Sequence, residues 1–420
     1  MENIQKQVLS LSRDMINTAG STLGIDPETQ LVELIILILI GLIVCLFIFW
    51  AFSLTSLQYN DCSKLDYIYA KNDDHIRPIA IYDPYISIKY RPSTIMFDPS
   101  GGNARVFSYY IKTAYNCCSP GNFSNSFVSL CALRHVISLG ARCLDFEIYS
   151  LNTEPIVATS SQQNKLVSSF FIKETFNSLK LSDVLNYVKY FALENSQDGA
   201  TNYSDPLFLH FRIMTSQEET INLLAKYLID ILGDSLLGSA YGQNNYNNSI
   251  NRNSLLSFCG KCVIMINNNT INSNIIMASD LWQLTNILTN SDNCRLYRYN
   301  NISSMNDTDI RELSIYNKHN VSIVLPTAGY ETSNFDCRIC MRTGCQFIAM
   351  NFQTFDANLE TYFKYFDQIG FSFVIKPCSL RWVPVHYLIK YNELSEPGAS
   401  CTEKITTSSI TVAGGLDGSN

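Results

Sequence analysis

No run of lysine or arginine occurs in the 420 residues, only 16% are charged, and the formal net charge is −7. A chain without a basic stripe cannot displace the counterions of a phosphate backbone, so nucleic acid is excluded as a partner. Histidine is scarce, at five residues. None lies at finger spacing from Cys259-x-x-Cys262 or Cys337-x-x-Cys340, so neither cysteine pair reads as a zinc site. No internal repeat is present. What is plentiful is apolar: 46% of residues are hydrophobic, enough for a large core in one barrel-sized domain with appendages. The 14 cysteines are expected as disulfides or inert buried thiols, a density that suits an oxidising compartment or a virion better than cytosol.

Residues 34–54 form an unbroken apolar run without a charge, long enough for a helix across a bilayer core, which takes about 20 residues. The segment before it is acidic (Asp26, Glu28, Glu33) and lacks a basic n-region. That argues against a cleaved signal peptide and for a single-pass anchor in a cellular or virion membrane. Lys64 and Lys71 after the run bias the C-terminal domain toward the cytoplasm, and the cysteines bias it the other way, so both orientations stay open.

Around the anchor the chain divides into a polar head (1–33), a stalk (55–94) in which Pro78, Pro84 and Pro92 discourage long helices, and a folded body from residue 95. Strand-like runs at 106–111, 143–149, 155–159, 207–211 and 263–266 alternate with helix-like runs at 126–139, 181–193 and 217–232. A polar linker or insert, 242–310, breaks the pattern. Strands resume at 321–325, 347–351 and 371–376, with a helix at 358–366 and a polar tail over 383–420. This alternation predicts the α/β class and a parallel (β/α)8 TIM barrel.

One stretch is more specific. Gly344-Cys345-Gln346 opens a short apolar strand that ends in Asn351-Phe352-Gln353-Thr354, and a second apolar strand runs into Lys376-Pro377 and Leu380-Arg381. The pattern resembles the Y region of phosphoinositide-specific phospholipase C. Gly140-x-Arg142, leading into Asp145-x-Glu147, resembles the second barrel strand of the X region. The resemblance implies a phosphodiesterase-type barrel split into an X-like half (95–241) and a Y-like half (311–382) around the polar insert. It carries no sign of the family's EF-hand, C2 or pleckstrin-like modules.

The same resemblance says which side chains the site should hold, and several differ. Calcium in the family is held by an Asn after the first strand, two acids on the second and a Glu on the third; these positions fall on Asn116, Asp145, Glu147 and Arg212. Acids at i and i+2 of a strand point the same way, here toward the mouth at the strands' C-terminal ends. A guanidinium offers only donors and cannot ligate calcium, which takes oxygen ligands, so the degenerate site is expected to hold no metal or other cofactor. The two catalytic histidine positions fall on Tyr115 and Thr159, which lack a side chain that titrates near neutral pH. The family's Lys-x-Lys falls on Met265 and Asn267, and its ring-contacting Tyr on Phe373. Ser333, Lys376 and Arg381 match and are candidate ligand contacts, with structural packing an equal reading for the last two. His210, two residues before Arg212 on the same strand face, is read as a buried core histidine or else a relocated acid/base. His75, His135, His319 and His386 are expected to be exposed.

Three functions compete. The preferred expectation is a membrane-anchored, phospholipase C-like pseudoenzyme in which Arg212 replaces calcium between Asp145 and Glu147, serving as a binding or structural module for a phosphoinositide headgroup or a protein. The second is a metal-independent phosphodiesterase in which Tyr115, His210 and Arg212 carry the chemistry, because bacterial relatives use an arginine in place of calcium, although they keep both histidines. The third is an architectural envelope or virion protein, marked by a mouth plugged with side chains.

Overall fold

The computed structural model describes residues 27–71, 105–161, 166–167, 170–196, 199–243, 250–269, 271–367 and 369–382, with two short strands beyond them. His75 and the three stalk prolines lie outside these residues, as does most of the expected tail. The chain forms two units, residues 1–60 and 61–420.

The first unit is built on helix α1 (Pro27–Lys71). Pro27 sits at its first position, where the missing N–H costs nothing. Val32–Ser53 is long and apolar enough to cross a membrane, and no part of that window is buried. The helix continues to Lys71, through residues whose composition reads as stalk.

In the second unit, the end of α1 packs on helix α2 (Leu130–Ser138). Ser129 caps α2, accepting from the Cys131 amide. Cys62 and Cys131 form a disulfide, Asp66 pairs with His135 Nε2 at 2.8 Å, and the Tyr69 hydroxyl donates to the Phe352 carbonyl. His135 is therefore not free in solvent as expected but half-buried, stacked on Tyr69 with ring centroids 5.1 Å apart. Cys117, Cys118, Cys143, Cys262, Cys294, Cys337, Cys340 and Cys345 are buried free thiols, held protonated by burial. The described cysteines are thus one disulfide and eight buried thiols, while Cys259 is half-buried and Cys45 and Cys378 are exposed.

Eight parallel strands make the barrel: β1 (Tyr109–Ala114), β2 (Cys143–Leu151), β3 (Leu207–Ile213), β4 (Cys262–Asn267), β5 (Ile287–Thr289), β6 (Cys294–Arg298), β7 (Val321–Leu325) and β8 (Phe347–Met350). Each pairs in parallel with its neighbour except across β5 and β6, and β8 returns to β1. The two ends of this path, β5 and β6, are joined by residues 290–293 alone. Four residues cannot bridge distant sheet edges, so the sheet curls nearly to closure.

Side-chain alternation sorts the strands into an inside and an outside. Ile111, Phe208, Val263, Met265, Ile323 and Phe347 fill the interior, while Leu144, Phe146, Leu209 and Phe211 face the helices. By the same period Asp145, Glu147, His210 and Arg212 point inward.

Two stretches differ from their sequence reading. The polar insert carries, besides β4 at the expected strand 263–266, two further barrel strands, β5 and β6. The latter two are short, and their helical neighbours are Asn-rich, so apolar periodicity is too brief to register. Phe373–Ile375 pairs antiparallel with the start of β1 (Ile111 beside Phe373) and is not a ninth parallel strand.

Candidate functional site at the barrel mouth

Register builds the site. β2 and β3 lie side by side with Asp145 opposite His210 and Glu147 opposite Arg212. Arg142, buried at the start of β2, fastens that strand to the chain entering β3 through the Pro206, Asp205 and Ala192 carbonyls. Asn116 follows β1 with φ 43°, a left-handed conformation that Asn tolerates well. This turn brings its backbone N–H to Asp145 Oδ2 at 3.1 Å.

Arg212 is the hub. Its Nε donates to Asp145 Oδ1 at 3.0 Å and Nη2 to Asp145 Oδ2 at 2.7 Å, a bidentate pair. Nη1 donates to Glu147 Oε1 at 2.7 Å, and Nη2 also donates to Asn116 Oδ1 at 2.7 Å. The Tyr115 ring covers the guanidinium at 4.5 Å, a cation–π contact. One layer deeper, His210 Nδ1 meets Asp145 Oδ1 at 2.7 Å. Glu147 Oε2 accepts from the Tyr149 hydroxyl at 2.7 Å and from the Ser160 N–H at 3.0 Å.

None of these groups meets solvent: Asp145 and His210 are 0% exposed, Glu147, Asn116 and Arg212 2%. Burial by itself raises the Asp145 pKa, but Arg212 and then the His210 hydrogen bond outweigh it and hold the carboxyl well below its usual range. Burial would likewise lower Arg212, and Asp145, Tyr115 and Glu147 overcome it, so the arginine stays charged. Beside the cluster, between Arg212, Tyr115 and Arg298, the free space is about 10 Å³, room for roughly one water.

The remaining expected site residues are scattered. Thr159 is buried beside the cluster, but its hydroxyl donates to the Phe123 carbonyl at 2.9 Å. Ser333 is exposed on the loop after β7, while the adjacent Asn334 ties that loop to Asn351 and Thr354. Lys376 lies at the other end of the barrel, donating to the Asn317 and Gly344 carbonyls at 2.8 and 3.0 Å. Arg381 is buried against Cys378 Sγ at 3.0 Å. Lys376 and Arg381 are thus packed into the fold away from the mouth. Sequence reading missed Tyr149, two residues past Glu147 on the same strand face, where alternation alone would have placed it. It also missed Arg298, which donates to the Tyr115 hydroxyl at 3.2 Å from within the polar insert.

Residues 277–379 match the model of the Y domain of phosphatidylinositol-specific phospholipase C. Over these residues, about a quarter of the chain, the sequence is similar to that family. Among solved structures, S. officinalis PLC21 superposes with a TM-score of 0.52 at 18% identity, over 66% of this chain and 37% of that one. L. pealei PLC21 gives 0.52 at 17% identity with the same coverage, 66% and 37%. This chain thus spans well under half of either relative, and at these identities the likeness speaks for the fold alone. No curated protein matches the sequence.

Chemically, this phospholipase C-type mouth presents three oxygen-bearing side chains that all converge on a guanidinium. A hard cation needs six or more oxygens around free space, and these residues do not fit one. The histidine present is sealed beneath Asp145 and opens onto no space that a substrate could enter.

Proposed function

We propose that this chain is a membrane-anchored, non-catalytic phospholipase C-like barrel whose mouth is closed by its own ion-pair cluster, and that it works as a structural or protein-interaction module. Arg212 takes the place of the calcium ion, and α1 supplies the anchor. The observation that carries this is the four hydrogen bonds of Arg212 to Asp145, Glu147 and Asn116 in a mouth with about 10 Å³ of free space. A headgroup needs a pocket of about 300 Å³ or more, so the space at the mouth argues against the binding of lipid headgroups there. The alternative of metal-independent catalysis would need His210 or Tyr115 to reach a phosphodiester. The first is wholly buried and the second is spent on Arg212 and Arg298.

The test is calorimetric titration of the full chain in detergent with calcium, beside an assay for release of water-soluble inositol phosphate from phosphatidylinositol. Neither heat of binding nor release is expected. Micromolar calcium affinity lost in Asp145→Asn, or release abolished by Arg212→Ala, would overturn the proposal.

A further inference from the structure

The other end of the barrel is built quite differently. A cavity of about 330 Å³ opens where β5, β6 and β7 begin, lined by Arg105 and Phe107 ahead of β1, Tyr241, Asn293 ahead of β6, and His319 and Asn320 ahead of β7. No carboxylate is among its described lining residues. Among the described residues Arg105 makes no ion pair; its guanidinium faces the rings of Phe107 at 5.8 Å and Trp382 at 5.3 Å. The side chains of Asn293, Asn320 and Tyr241 likewise have no hydrogen-bond partner among the described residues.

Positive charge without acids, in a concave site with idle donors, is complementary to an anion. A guanidinium fork matches phosphate oxygens bidentately. Two amides and a phenol set around an apolar wall suit a hydroxylated body, and the volume sits at the small end of ligand pockets, about 300 to 1,000 Å³.

We propose that the N-terminal end of the barrel is a binding site for a small phosphomonoester of sugar-phosphate size, its phosphate on Arg105 and its hydroxyls on Asn293, Asn320 and Tyr241. The site is independent of the closed mouth. The full chain in detergent, titrated with glucose 6-phosphate, inorganic phosphate and glucose, tests it. Glucose 6-phosphate is expected to bind, inorganic phosphate more weakly and glucose not at all. Arg105→Gln should weaken both phosphate probes about ten- to hundred-fold, as loss of one charge-assisted contact does, with Arg105→Lys falling in between. Asn293→Ala should weaken glucose 6-phosphate and leave inorganic phosphate unchanged. Arg295→Gln, at an exposed pair with Glu312, should change neither. Competition by short-chain phosphatidic acid assigns the phosphomonoester to a lipid, and lack of competition to a soluble metabolite. Absence of glucose 6-phosphate binding to the wild-type chain, or equal binding by a folded Arg105→Gln variant, overturns the proposal.

Discussion

Arg212→Met keeps a long side chain in the barrel and deletes the charge. It breaks the hydrogen bonds at 3.0 and 2.7 Å to Asp145, at 2.7 Å to Glu147 and at 2.7 Å to Asn116, and leaves two acids no more than 2% exposed without a cation. Removing one partner of a buried pair costs about 3 to 5 kcal/mol, which in a unit of this size lowers the unfolding temperature by about 5 to 8 °C. The loss should depend on pH in a defined sense. In the wild type the Asp145 pKa is depressed in the folded state, below an unfolded value of about 3.9. The stability it contributes is therefore fully present above that value and disappears only as pH falls through the folded one. Between pH 7.5 and 5 the wild type should hold level with respect to this group. In the variant, burial acts on Asp145 without Arg212, the folded pKa rises, and acidification stabilises the fold by letting the carboxyl neutralise. The gap in urea unfolding between the two proteins should thus narrow from pH 7.5 to 5, and Asp145→Asn added to Arg212→Met should recover part of it, a non-additive pair. A gap below about 1 kcal/mol, or one that does not move with pH, would refute the reasoning.

Further predictions concern parts of the fold outside the mouth. Lys376 has a folded pKa lowered to about 7, so between that value and about 10.4 the unfolded chain binds more protons and stability rises with pH; in unfolding measured from pH 7 to 10, Lys376→Met should flatten that rise. The Cys62–Cys131 disulfide spans 69 residues, worth about 4 kcal/mol in the chain-entropy account, so reductant should lower the wild-type melting temperature and leave Cys62→Ser unmoved. Asn334→Ala loses contacts at 3.0 and 2.8 Å to the Asn351 and Thr354 carbonyls and one at 2.7 Å from the Asn351 N–H. It should cost about 2 to 4 kcal/mol and expose residues 326–336 to limited proteolysis.

The mouth cluster was legible because strand alternation is strict: once Asp145-x-Glu147 and His210-x-Arg212 are placed on neighbouring strands, their side chains can only meet inside. The Y-like motif located β8 through its flanking Gly344-Cys345-Gln346 and Asn351-Phe352-Gln353-Thr354, since Phe347–Met350 is apolar throughout and shows no alternation. What sequence reading could not find lacks such a period. β5 has three residues, too few for alternation to register, and its Asn-rich surroundings resemble a loop. The end of α1 is polar on one face, and only tertiary contacts through Leu65 and Tyr69 reveal that it packs on the barrel. The cavity at Arg105 draws its lining from six separate stretches of chain, a convergence that no local pattern encodes.

The guanidinium near the C-terminal end of β3 also constrains how this sequence can change over time. Loss of Arg212 leaves two uncompensated carboxylates in a sealed space, and loss of Asp145 or Glu147 leaves guanidinium donors without acceptors, so a substitution at any one is selected against before it can be followed by a second. These positions should be inherited as a block. A lineage could exchange them for a different solution only by changing them together.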